Sequence, residues 1–230
     1  VSDIVRTAVD GGVAVVTIDD GKMNALSPAV IVELNATLDV AVENASAVCL
    51  VGNDRALSAG FDLSVMTGDV EGRHALLVAG AELLMRLYVH PQPTVVAVTG
   101  HALAAGALMT LACDTRIAAP GSAKIGLNEV AIGLALPMFG YELAAARLSK
   151  RYLTRAAVQA ETFDPDGALA AGFVDRIDAA CVDLARAEAG RLGALPAGAY
   201  ARTKRSLRQP MVDRVLASLD ADLDGRTIEN

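Results

Sequence analysis

Apolar residues fall along this chain in two rhythms. Unbroken runs rich in β-branched residues, Val13-Ala14-Val15-Val16-Thr17-Ile18, Ala47-Val48-Cys49-Leu50-Val51-Gly52 and Thr94-Val95-Val96-Ala97-Val98, predict strands buried on both faces. Between them, apolar positions recur every three or four residues. Over 28–43, Val30, Leu34, Leu38 and Ala41 would put one helical face into a core. Ser27 suits the N-cap of that helix, and Pro28, which lacks an N–H, suits its first turn. A second helix is predicted over 70–88 and must end before His90-Pro91-Gln92-Pro93, where proline disfavours helical backbone in the residue it follows. Asp19-Asp20-Gly21 turns the chain after the first strand. Asp114-Thr115-Arg116-Ile117-Ala118 is another short strand, with Pro120-Gly121-Ser122 turning the chain after it. Helical patterns then occupy 140–148, 154–160, 166–171, 180–192 and 199–219. Alternating strands and helices predict an α/β fold with right-handed crossovers: a core over 1–175, continued by a helical C-terminal region over 176–230 that is suited to a subunit contact.

Three stretches depart from this pattern. Gly100-His101-Ala102-Leu103-Ala104-Ala105-Gly106-Ala107-Leu108 is built of small residues where a strand passes into a helix. Backbone N–H groups at a helix start have no partner inside it, so they can hold a developing negative charge. Tight helix packing would use the same residues. Ser58-Ala59-Gly60 allows close backbone approach to a ligand and makes the Ala59 N–H a candidate second donor; a solvent loop closed by Gly60 reads the same way. Both stretches follow predicted buried strands, and ligands in α/β layers sit beyond the carboxyl ends of strands. The third stretch, 124–137, is almost wholly apolar, with Glu129 as its one carboxylate. Such a group is salt-bridged, turned out to solvent, or desolvated with a raised pKa suited to proton transfer.

Composition narrows the function classes. The chain has 230 residues, 53% of them hydrophobic, only 3% aromatic and none Trp, with a net charge of −7. That supports a sizeable core and argues against a nucleic-acid binder, which needs basic charge and stacking rings. No apolar run is long enough to span a bilayer, and the N-terminal residues lack the charged start and apolar block of a signal peptide, so a cytoplasmic location without membrane partners is expected. Cys49, Cys113 and Cys181 are odd in number and set in apolar contexts, which suits buried thiols; no His pair has metal-ligand spacing, so no metal is expected.

Taken in order, these stretches resemble the crotonase superfamily, the enoyl-CoA hydratase/isomerase family. Ser58-Ala59-Gly60-Phe61-Asp62-Leu63 is similar to its first oxyanion-hole and CoA-binding loop, and the stretch from Gly100 to its second. Asp166-Gly167-Ala168-Leu169-Ala170-Ala171-Gly172-Phe173-Val174-Asp175 is similar to its A-x-x-x-G-[FL]-V-[DS] segment. The resemblance implies a crotonase-like (ββα)n spiral core, an acyl-CoA thioester as substrate with coenzyme A as part of it, no permanently bound cofactor, and a homotrimer or a hexamer built as a dimer of trimers. It also implies that Lys22, Met23 and Ala25 touch the adenine end of CoA, although a helix-entry turn with a solvated lysine accounts for Lys22 as well. Hydratases of the family carry two glutamates. The position of the first aligns with Leu108, and the second aligns with Glu129 in Ile125-Gly126-Leu127-Asn128-Glu129, a setting most like mitochondrial-type enoyl-CoA delta isomerases. The implied mechanism is isomerisation. Glu129 is the base, desolvated by Leu108 and Ile132, the Ala59 and Ala105 N–H groups hold the thioester oxygen, and Asn128 lies in the binding segment. Rival readings are a hydratase using Glu142 or Asp62 as a second carboxylate, thioester hydrolysis, and an acyl-CoA-binding protein without turnover. Ala104-Ala105-Gly106 departs from the consecutive glycines common in the family, so Ala105 is expected to reach the turn geometry despite its Cβ.

Overall fold

The computed structural model describes residues 4–224, so Val1, Ser2 and Asp3 and the last six residues of the chain lie outside the described residues. Strand β1 (Val5–Asp10) pairs antiparallel with β2 (Val13–Ile18) across Gly11-Gly12. The sheet then continues in parallel through β3 (Ala47–Val51), β5 (Thr94–Val98), β7 (Thr115–Ala118) and β9 (Arg176–Ile177). A second, three-stranded parallel sheet holds β4 (Ala56–Ser58), β6 (His101–Leu103) and β8 (Ile125–Gly126), in that order.

The two sheets are threaded by one repeating path. Each of β3, β5 and β7 is followed directly by a short strand of the second sheet, and the chain then enters helix: α2 (Leu63–Met66) and α3 (Val70–Tyr88) after β4, α4 (Ala105–Ala112) after β6, and α5 (Met138–Arg147) after β8. Helix α1 (Pro28–Asn44) makes the first crossover. Its N-cap is the expected one, with Ser27 Oγ accepting from the Val30 N–H at 3.3 Å. Helices α6 (Lys150–Ala157) and α7 (Pro165–Ala171) precede β9, and α8 (Cys181–Gly193) and α9 (Ala197–Leu223) complete the chain.

The unbroken apolar runs follow from burial of the main sheet on both faces. Ala14, Val16, Val48, Leu50, Val96 and Val98 join the large core with α1, α3 and α4, whereas Val13, Val15, Cys49, Val95, Ala97 and Ile117 meet Cys181, Ala185 and Ala189 of α8. The residues after 175 are thus woven into the core: β9 pairs with β7, and α8 packs on one face of β2, β3, β5 and β7. Helix α9 crosses to α3 and α5 and is pinned at its middle by Lys204 and Arg208, whose side chains reach the buried Asp114 carboxylate at 2.7 and 2.6 Å.

Three differences from the sequence-based expectations have local causes. The polar, alternating β1 is a strand because a hairpin pairs it with β2, and four of its six residues stay exposed. Strands β4, β6 and β8 are too short to carry a period of their own and exist only through pairing with one another. The helix expected over 154–160 lies at Lys150–Ala157, because the chain leaves helical geometry before Ala160, whose φ is 52°.

Candidate active site

The two small-residue turns meet beyond the carboxyl ends of β3 and β5, at the second sheet. Their contact is steric: a Cβ on Gly106 would lie 2.1 Å from Ser58 O, so only glycine lets the start of α4 press against the first loop. Gly60 has φ 110°, a region open to glycine, and a Cβ there would lie 3.0 Å from the Ala104 Cβ and 3.7 Å from Ala105 N. The strain expected at Ala105 falls one residue earlier. Ala104 has φ 49° and ψ −121°, a conformation that costs a non-glycine residue about 1–3 kcal/mol. Ala105 itself is the first residue of α4, and its N–H has no backbone acceptor among the described residues, while the Ala104 N–H donates to Gly126 O at 3.0 Å.

The first loop corrects one expectation. The Ala59 N–H donates to Met23 O at 2.9 Å, so it is consumed by the fold and cannot serve as an oxyanion donor. The Gly60 N–H is taken by Ser58 Oγ at 3.1 Å, and the Asp62 N–H by Leu26 O at 3.1 Å. Phe61 sits opposite Leu26 in an isolated bridge that uses the carbonyl of Gly60 and the N–H of Asp62, leaving its own N–H without a backbone acceptor among the described residues. Phe61 N–H and Ala105 N–H are thus N–H groups, one from each turn, without a backbone acceptor among the described residues. Sequence reasoning missed that of Phe61 because every backbone N–H looks alike until its partner is known.

The loop and the 22–26 segment are zipped together by these same bonds, which bring Lys22, Met23 and Ala25 beside Ser58, Ala59 and Gly60. Asn24 anchors the zip from within: it is fully buried, and its side-chain amide donates to Ile18 O and Ala56 O at 2.8 Å each. The Ala25 N–H donates to the Asp20 carboxylate at 3.3 Å, and the Lys22 side chain is exposed. Asp62 caps α2 through the Ser64 N–H and hydroxyl, and Leu63 is 65% exposed; neither lines the cavity described next.

A cavity of about 580 Å³ opens at the junction of the turns. Phe61, Met66, Leu77, Ala104, Leu108 and Phe139 form apolar wall, and Glu129 projects into it. The segment carrying Glu129 is held by β8, by the exchange of N–H···O bonds between Ile125 and Phe163 at 2.9 Å, and by a 3₁₀ turn over Val130–Ile132. That turn wraps the Glu129 carbonyl, which accepts from the Ile132 and Leu134 N–H groups at 3.0 and 2.9 Å. The side chain has no comparable support. Glu129 is 9% exposed, and its Oε2 is buried without a hydrogen-bond partner among the described residues. Burial pushes its carboxyl up to about 7, against a small opposing effect of its own backbone N–H. Of the three alternatives for an isolated Glu, the desolvated one holds. Asn128 Oδ1 beside it is likewise buried without a partner among the described residues.

Neither carboxylate expected as a hydratase partner reaches this cavity. Glu142 pairs with Arg214 at 3.2 Å on the surface, and Asp62 is spent on its helix cap. The acidic side chains that do line the cavity with Glu129 are Asp222 and Asp224, at the end of α9, together with Arg73 of α3. Asp222 accepts from the Met138 N–H at 2.8 Å and so caps α5. His101 takes a structural role, its Nδ1 accepting from the Lys124 N–H at 2.9 Å.

Comparison with known proteins gives a consistent answer. The family described as enoyl-CoA hydratase/isomerase matches residues 8–226. An enoyl-CoA hydratase/isomerase family protein from Pseudomonas syringae superposes with a TM-score of 0.95 at 40% identity, covering 98% of this chain and 99% of that one. The human mitochondrial enoyl-CoA delta isomerase 1 is 30% identical over 228 residues, 96% of this chain and 75% of that protein. A probable enoyl-CoA hydratase from Bacillus subtilis is 36% identical over 134 residues, which is 56% of this chain and about half, 52%, of its relative. With its paired turns, its buried glutamate and a match along nearly its whole length, the chain belongs to the enoyl-CoA hydratase/isomerase family, the crotonase superfamily.

Proposed function

We propose that this family member isomerises 3-enoyl-CoA thioesters to 2-enoyl-CoA thioesters. The observation that carries the reading is one desolvated carboxylate, Glu129, sharing an apolar cavity with Leu108 and with the turns that present the free N–H groups of Phe61 and Ala105. The Glu129 carboxylate takes a proton from C2 of the thioester. The electron pair moves into a dienolate whose oxygen accepts from the Phe61 and Ala105 N–H groups. Protonated Glu129 then returns the proton at C4, leaving the double bond between C2 and C3. No water or second base enters, which suits a wall position held by Leu108. Each N–H donor aimed at the enolate oxygen is worth roughly 3 kcal/mol in the transition state. Lys22, Met23, Ala25 and the 58–63 loop, zipped together, would carry the CoA portion, with Asn128 beside the acyl group.

The test is a pair of assays on the purified protein. With a 3-enoyl-CoA, conjugated thioester absorbance should grow, and Glu129→Gln should abolish that growth. With crotonyl-CoA the absorbance should persist; its rapid loss would establish a hydratase, with Asp222 or Asp224 as the carboxylates in reach. Tight binding of CoA thioesters with no reaction in either assay would instead favour a binding protein. We also propose a homotrimer or a dimer of trimers, supported by apolar side chains left uncovered on α9, where Leu207 is 78% and Leu216 42% exposed. Light scattering that gave a monomer mass would reject it.

A further inference from the structure

We propose that Gly80 of α3 is a positioning residue for the oxyanion donor: the Phe61 ring seats in the gap left by its missing side chain and thereby holds the Phe61 N–H in place. This rests on the oxyanion reading given above. Gly80 is buried in the middle of a 19-residue helix, where glycine costs about 1 kcal/mol relative to alanine. Its backbone does not need glycine, since its φ is not among the positive values of the described chain. What needs glycine there is space. A Cβ at this position would lie 2.3 and 2.4 Å from the Cε1 and Cζ atoms of Phe61.

The consequence follows from how Phe61 is held. Its backbone is gripped on both sides by Leu26, through Gly60 O and the Asp62 N–H. The residue is also held by its ring, docked on α3 one turn beyond Leu77, another wall residue of the cavity. Ring and N–H are joined through Cα by only two rotatable bonds, each held to a few rotamers. Closing the notch drives the ring off α3 toward the cavity it lines, and the part of that displacement that the side-chain torsions do not take up passes to the loop backbone and its N–H. Gly80 acts only through Phe61 and touches no reacting atom.

The experiment reads the donor directly. A saturated acyl-CoA labelled with ¹³C at the thioester carbonyl is bound to wild type, Gly80→Ala, Phe61→Ala and the double variant Gly80→Ala with Phe61→Leu, and the carbonyl band is followed by isotope-edited infrared spectroscopy. Wild type should shift the band to lower frequency, and Gly80→Ala should lose most of that shift. In turnover of a 3-enoyl-CoA, Gly80→Ala should lower kcat about tenfold with KM within about twofold, as expected for misplacement of one donor. The double variant should regain at least about fivefold over Gly80→Ala, because leucine lacks the far edge of the ring that the new Cβ meets. If Gly80→Ala does not fold, Phe61→Ala carries the test: it removes the anchor without crowding α3 and should also lose most of the shift. A wild type with no shift would sink the oxyanion reading itself. A wild-type shift that survives intact in Gly80→Ala or in Phe61→Ala would overturn the role of Gly80 alone.

Discussion

Moving a carboxyl group from water into a cavity walled by leucine and phenylalanine disfavours its charged form, and among the described residues Glu129 has no hydrogen-bond donor at Oε2 to offset that cost. A base must be unprotonated to act, so kcat/KM should rise as pH increases through about 7 and level off above it, a profile read from initial rates. The same group affects stability. Between the ordinary value of 4.5 and about 7 the folded protein binds more protons than the unfolded chain, so this contribution to stability falls as pH rises through that window. Glu129→Gln should therefore raise Tm above the window and leave it nearly unchanged below, as measured by calorimetry at both ends. Leu108, itself buried, shares the cavity wall with this carboxyl. Leu108→Ala should cost about 2–5 kcal/mol in urea unfolding and, by admitting water, move the midpoint of the pH–rate profile below that of the wild type. At this scale the sequence was informative about side chains and silent about backbone. Glu129 could be singled out by its apolar surroundings, whereas Ala59 and Phe61 could not be told apart as donors.

Among the elements, the start of α4 governs the site, because its small residues bring three segments into contact. The Gly106 position faces Ser58 O with no room for a methyl group, so Gly106→Ala should push the turns apart and abolish turnover of a 3-enoyl-CoA while circular dichroism stays near wild type. Ala104 already carries a left-handed φ. Ala104→Val adds a branched Cβ in that region and should destabilise by about 2 kcal/mol or more in urea unfolding, whereas Ala104→Gly should be close to neutral, because relieved strain offsets the greater freedom of glycine in the unfolded chain. Helix α1 was legible from periodicity and its capping residues, and the end of α3 from the prolines that follow it, since these signals are local. The second sheet was not. A strand such as Ala56–Ser58 has no period to read and is made by partners dozens of residues away.

Across the whole molecule, the (ββα) spiral of the crotonase fold is closed by α9, and one buried acid holds that helix in place. Burial alone would raise the Asp114 carboxyl, but Lys204 and Arg208 outweigh it and hold the group below the usual carboxylate range. Thr94 N–H and Tyr200 OH also donate to it, at 2.9 and 2.8 Å. Asp114→Asn would strand two buried cations. It should cost about 3–5 kcal/mol in urea unfolding and shift the end of α9, with its cavity residues Asp222 and Asp224. Because the folded pKa is depressed, the Asp114 contribution is complete above the unfolded value and is lost only as pH falls through the folded one. No described helix is long and apolar enough to cross a membrane.

The sequence by itself determined the four central strands of the main sheet, the helices that cross between them, the two small-residue turns and the solitary glutamate of an apolar segment, because each of these is written in side chains that act on near neighbours. The tertiary structure decided which backbone N–H groups remain free, Phe61 and Ala105 rather than Ala59, and which acids face the cavity, Asp222 and Asp224 rather than Glu142 and Asp62. Backbone N–H groups are chemically the same at every non-proline position, and a distant carboxylate reaches a site only when packing brings its helix there.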